Sequence, residues 1–107
     1  IFENAGVKIL FVPEDENGYP VMKNAFQKLA ENNITSILTE GGSAIFSAVL
    51  RENLADEILL FICPKILGKG LSPFEKLPAF NIEDSFSFNL TENINVGGDV
   101  LLKYKKV

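Results

Sequence analysis

The stretch over residues 34–48 constrains this chain most, because its periodicity changes at a pair of glycines. Residues 34–39 are a short apolar run rich in β-branched side chains, which is a strand signature. Ile45, Phe46, Val49 and Leu50 then recur at near-four spacing and share one helical face. Glu40, Gly41 and Gly42 lie between the two patterns. A strand that enters a helix through glycines leaves the first helical amides without intrahelical partners, at the positive end of the helix dipole. Missing Cβ atoms let an anion approach that backbone. The same glycines also suit an ordinary strand-to-helix turn. Ser43 follows Gly42 and no third glycine comes in the helix, so the G-x-G-x-x-G fingerprint is not met. The Gly-Lys-Ser/Thr ending of a Walker A loop is also missing. Spacing alone favours the structural turn, with anion binding as the other reading.

The flanking sequence extends this unit on both sides. Residues 2–5 followed by Gly6 read as a helix tail with a glycine stop. Residues 7–12 are a compact apolar strand closed by Pro13, and residues 14–18 an acidic turn. A helix is expected from about Pro20, in its first turn, to Asn32. Its apolar face is Met22, Ala25, Phe26, Leu29 and Ala30. Asn32-Asn33 supply its left-handed exit. A second helix spans residues 42–53. Residues 58–63 are apolar on both faces and read as a central, covered strand. The first part is therefore β-α-β-α-β, with parallel strands and right-handed crossovers. Residues 65–80, rich in Pro, Gly, Lys and Leu, read as an irregular loop. Phe86, Phe88 and Leu90, then Val100, Leu102 and Tyr104, alternate with other residues as two antiparallel strands, with Gly97-Gly98-Asp99 turning the chain between them. Lys103, Lys105 and Lys106 are expected to protect the last strand as a solvated edge.

Composition narrows the chemistry. The 107 residues fit one small domain, and 47% hydrophobic content argues for a real core. The net charge of −4, with scattered lysines, disfavours nucleic-acid binding. No apolar run approaches the ~20 residues of a membrane span, so no membrane partner is expected. There is no histidine, which removes most zinc sites, His-based triads and the commonest general base. The lone Cys63 lies in an apolar run and reads as a buried core residue; without an internal disulfide the chain fits a reducing cytoplasm. The chain opens on Ile1 rather than Met, which reads as a piece of a longer protein.

Four motifs in register carry a family resemblance. They are Ile34-Thr35-Ser36-Ile37-Leu38-Thr39-Glu40-Gly41-Gly42, the run from Leu50 through Asn53 and Asp56-Glu57 to Leu60, Cys63-Pro64-Lys65-Ile66-Leu67-Gly68, and Gly97-Gly98-Asp99-Val100. Together they resemble the C-terminal reductase domain of the bacterial riboflavin-biosynthesis deaminase/reductase. The resemblance runs over nearly the whole chain and implies an α/β, three-layer dihydrofolate-reductase-like fold. In that fold parallel strands with flanking helices carry a C-terminal antiparallel strand pair. It also implies that residues 1–107 are only the second half of that domain, without the zinc deaminase domain.

The implied activity is NADPH-dependent reduction of 5-amino-6-(5-phosphoribosylamino)uracil to its ribitylamino counterpart. Hydride goes to the carbon of a C=N bond, and the protein supplies orientation and charge. By position, Glu40 resembles the family's substrate-contacting glutamate, although on physics alone a helix-start acid is an equal reading. The segment Gly41, Gly42, Ser43, Ala44, Ile45, Phe46, Ser47 and Ala48 matches the family's NADPH-binding segment. Within it Ser43 and Ser47 read as polar contacts, Ser43 equally as a cap, and Ile45 and Phe46 read as core. Thr39 stands where the family commonly has an apolar residue. No catalytic residue and no metal ligand is assigned. The implied partners are the phosphoribosylamino-pyrimidine and either a second copy or the missing half of the domain. The rival readings are a non-catalytic nucleotide- or anion-binding module and an interaction fragment.

Overall fold

The computed structural model describes residues 3–107, in two units, residues 1–39 and 40–107. In the first unit the chain leaves a 3-10 turn, Glu3–Ala5, at Gly6, whose φ is +76°. That matches the expected glycine stop, although Phe2 lies outside the described residues. Residues 13–21 then close on themselves. The Asp15 carboxylate accepts from the Asn17 and Tyr19 amides, both at 2.9 Å, and Glu14 bridges Pro20. Helix α1 follows as Met22–Glu31. Pro20 therefore stands ahead of the helix rather than in its first turn, because the bridge to Glu14 holds it extended. The expected exit at Asn33 is present, with φ +62°. The Ile34 amide donates to Leu29 O at 3.1 Å and the Asn33 amide to Ala30 O at 2.9 Å, a Schellman closure. Lys8 Nζ donates to Asn32 Oδ1 at the same helix end.

The second unit begins with Glu40-Gly41-Gly42 and helix α2, Ser43–Arg51. Its end repeats the same closure: Asn53 has φ +57°, and the amides of Asn53 and Leu54 donate to Leu50 O and Val49 O. Strand β1, Glu57–Ile62, pairs antiparallel with β3, Asp99–Lys106, which pairs antiparallel with β2, Phe88–Val96. The sheet order is β1-β3-β2. Two residues, Gly97 and Gly98, join β2 to β3 with φ +59° and +99°, as a type I′ hairpin turn requires. The C-terminal antiparallel pair expected from sequence is thus present, and residues 65–80 form the expected loop without helix or strand.

The sheet departs from the sequence reading in three ways. No ladder pairs residues 7–12 or 34–39 among the described residues, and β1 pairs antiparallel, so the expected parallel trio is not formed here. An apolar, β-branched run favours extended backbone, but a strand exists only where a neighbour accepts its hydrogen bonds. Strand β1 is also an edge of this sheet rather than its covered centre, with Phe61 57% exposed. Conversely β3 is the middle strand. Lys103 is half-buried and paired with Glu92 at 3.2 Å instead of guarding an edge.

A bulge redistributes side chains over the sheet. Leu90 pairs with Tyr104, but Ile94 pairs with Leu101 on the opposite face, because Thr91 is an extra residue. Its hydroxyl donates to Lys103 O at 3.1 Å. The buried apolar side chains among the described residues are Val49 and Leu50. Below α2, Leu50, Ile58, Phe74, Phe80, Phe86 and Phe88 line an apolar hollow of about 360 Å³. The rings of Phe80 and Phe86 meet edge-to-face there, 5.4 Å between centroids.

Cys63 is exposed, not buried as its apolar neighbours suggested. It lies one residue beyond the Ile62–Val100 pair and so faces Asp99. A hydrogen bond to the Asp99 carboxylate, then that carboxylate's charge, and least of all burial, raise the thiol above its ordinary range. Because the thiolate is the nucleophile, Asp99→Asn should speed iodoacetamide alkylation of Cys63 at pH 8. An unchanged rate in stopped alkylation time courses would show that Asp99 does not hold the thiol protonated.

Candidate functional site

The turn that opens α2 combines two glycines with different duties. Gly41 has φ +102°, a conformation that side-chain-bearing residues rarely adopt. Gly42 is the residue before the helix, at φ −60° and ψ 163°, where any residue is at ease. A Cβ built at either position meets nothing within 4 Å. A side chain at Gly42 therefore leaves the turn unstrained, and the backbone strain belongs to Gly41. The open space follows from the exposure of both residues.

No side chain caps α2, and its first turn carries no acid. The Ile45 and Phe46 amides reach back to Gly42 O, at 3.1 and 3.4 Å. The amides of Ser43 and Ala44 are the first donors of the helix and the ones an external acceptor meets. With the dipole's positive end unneutralised, the turn suits an anion. Glu40 is exposed immediately before it. A carboxylate there accepts hydrogen bonds from a polar ligand while standing two residues clear of the anion's approach.

The sequence-expected segment is not equally accessible along its length. Gly41, Gly42, Ala44 and Ile45 are exposed, Ser43, Phe46 and Ala48 are half-buried, and Ser47 is wholly buried. Ile45 therefore leaves the core face on which its spacing placed it. Helical spacing marks a stripe, but the neighbours above the first turn decide how far along the helix that stripe is covered. The Ser47 hydroxyl is buried and has no hydrogen-bond partner among the described residues. The free amides and open backbone at Gly42, Ser43 and Ala44 suit an anion such as a phosphate. No group of three or more possible metal ligands occurs among the described residues.

Sequence reasoning did not identify the polar contacts that fasten the far end of α2. Lys106 Nζ donates to Asn53 O at 2.9 Å, across 53 positions of sequence. The only local signal available was Asn53 itself, a residue tolerant of the left-handed conformation at a helix end.

Comparison with known proteins converges on one family. Residues 12–102 match the RibD C-terminal domain. The chain is 35% identical over 85 residues to the riboflavin biosynthesis protein RibD of Aquifex aeolicus, covering 79% of this chain and 24% of that protein. It is 28% identical over 102 residues to the 5-amino-6-(5-phosphoribosylamino)uracil reductase of Buchnera aphidicola, covering 90% of this chain and 48% of that protein. Its fold superposes on Acinetobacter baumannii RibD with a TM-score of 0.82 at 24% identity, covering 98% of this chain and 28% of that structure. The chain thus spans about a quarter of the length of the RibD relatives it matches and about half of the separate reductase.

Proposed function

The chain belongs to the RibD C-terminal domain family, and from that premise we propose that it is the cofactor-contacting part of an NADPH-dependent 5-amino-6-(5-phosphoribosylamino)uracil reductase. The observation that carries this reading is the uncapped start of α2 behind Glu40, Gly41 and Gly42, inside the matched segment. In the proposed complex the amides of Ser43 and Ala44 hold a cofactor phosphate. The rest of the segment through Ile45, Phe46, Ser47 and Ala48 sets the position of that turn. Glu40 accepts hydrogen bonds from the pyrimidine substrate. NADPH supplies the hydride for the C=N carbon of the open-chain ribosyl group. The chain's own contribution is to bind and orient, which lowers the barrier by placing the reacting atoms together.

In the same reading residues 1–107 form the second half of a three-layer dihydrofolate-reductase-like domain. Residues 7–12 and 34–39 take their places as parallel strands when the remainder supplies their neighbours. Their apolar, β-branched composition supports this, as does the free edge of β1. The proposed partner is either that remainder or a second copy, and the proposed compartment is the cytoplasm. No helix among the described residues is long and apolar enough to cross a membrane.

The test is substrate-dependent NADPH oxidation by the full-length protein and by its Glu40→Gln variant. That change removes the charge and keeps the shape. Losing a hydrogen bond to a charged acceptor costs about 1.5–3 kcal/mol. The pyrimidine kcat/KM should fall about ten- to a hundred-fold while the KM for NADPH holds. A full-length protein that oxidises no NADPH with this substrate would leave the anion-binding module as the better reading.

A further inference from the structure

Helix α2 is fixed unevenly. Its buried residues, Ser47, Val49 and Leu50, all lie beyond its first turn, whereas Ile45 near its start is 43% exposed. The start of the helix, where the anion site lies, is therefore held mainly through the rest of the rod. At the other end one residue of β3 makes two attachments. Lys106 Nζ donates to Asn53 O at 2.9 Å, and the Lys106 amide donates to Asp56 O at 3.0 Å. Asn53 is the left-handed residue that closes α2, and Asp56 directly precedes β1. One side chain and its own backbone thus tie the exit of α2 and the entrance of β1 to the middle strand of the sheet. The ammonium also sits where the helix dipole is negative, so charge and hydrogen bond act together.

We propose that Lys106 is a positioning residue for the anion site at the opposite end of α2. It touches neither cofactor nor substrate. It sets where the Ser43 and Ala44 amides stand by fastening the helix that carries them. The inference rests on the reductase reading above, since it takes NADPH as the anion to be measured.

The experiment compares the full-length protein with Lys106→Met, Lys106→Gln and Lys106→Arg, measuring the KM for NADPH, the KM for the pyrimidine, kcat and thermal unfolding. Lys106 is exposed, and Lys106→Gln retains a donor, so folded protein is expected for each. For Lys106→Met the KM for NADPH should rise about two- to five-fold, the range a charge at a helix end commands. The KM for the pyrimidine and kcat should hold. Lys106→Gln should lie between Met and parent, and Lys106→Arg should restore the parent value. A merely structural role would lower the amount of active protein, and with it kcat, while leaving the KM for NADPH alone; that result overturns the proposal. So does a Lys106→Arg variant as impaired as Lys106→Met. If the parent shows no NADPH oxidation, the reductase reading falls and this inference with it. If the parent is active and Lys106→Met has the parent's KM for NADPH, this inference alone falls.

Discussion

Gly42→Val in the full-length protein should weaken NADPH binding about ten- to a hundred-fold, the equivalent of about 1.5–3 kcal/mol for hydrogen bonds to a charged group. The reason is steric. The branched side chain stands beside the Ser43 and Ala44 amides, where the phosphate must come close. The fold itself should not object, because Gly42 has φ −60° and open space around its Cβ position. Thermal unfolding of the variant is therefore expected to match the parent, which separates loss of binding from loss of structure. Gly41→Ala gives the opposite pattern of evidence. At φ +102° a side chain costs about 1–2 kcal/mol in backbone strain, so the unfolding temperature should drop even without ligand. Isothermal titration with NADPH, run beside a melting curve for each variant, checks both. A Gly42→Val protein that binds NADPH as tightly as the parent would make the turn a structural one and remove the cofactor assignment.

The 107-residue chain expressed alone should show no pyrimidine-dependent NADPH oxidation and should self-associate. Both expectations come from what this chain leaves uncovered. Phe11 is 82% exposed, Leu38 75% and Phe61 57%, and Val49 and Leu50 are the apolar side chains buried among the described residues. Strand β1 also offers a free edge for hydrogen bonding. Exposed apolar surface and an unpaired strand edge each seek another chain. The relatives are longer: this chain spans 24% of the Aquifex protein and 48% of the Buchnera reductase. The misplacement of reacting groups by even about 1 Å costs a hundred-fold in rate, and in the proposed reading part of the site lies outside this chain. Sedimentation velocity over a concentration series, with an NADPH absorbance assay on the same material, tests the pair. A monomer whose cooperative unfolding ignores concentration counts against association. Substrate-dependent oxidation by the isolated chain refutes the division of the site.

What the sequence determined by itself is the set of features whose hydrogen bonds close within a few residues. Helix α1 and its exit at Asn33, helix α2 behind the two glycines, the Gly97-Gly98 hairpin and the loop over residues 65–80 were all legible. Helical periodicity, left-handed caps and two-residue turns are local, so residue type and spacing are enough to specify them. The four motifs placed the candidate site at Glu40 and the turn for the same reason: they are short, ordered strings. Tertiary structure alone decided which strands have neighbours. It put β3 in the middle, β1 at an edge, and left residues 7–12 and 34–39 without ladders among the described residues. An apolar run looks the same in sequence whether or not a layer covers it, which is also why Cys63 was misread as buried. The duties of Gly41 and Gly42 separated only once their φ values were known. Lys106 and Asn53 met only in the fold, because a hydrogen bond across 53 positions has no periodicity to announce it.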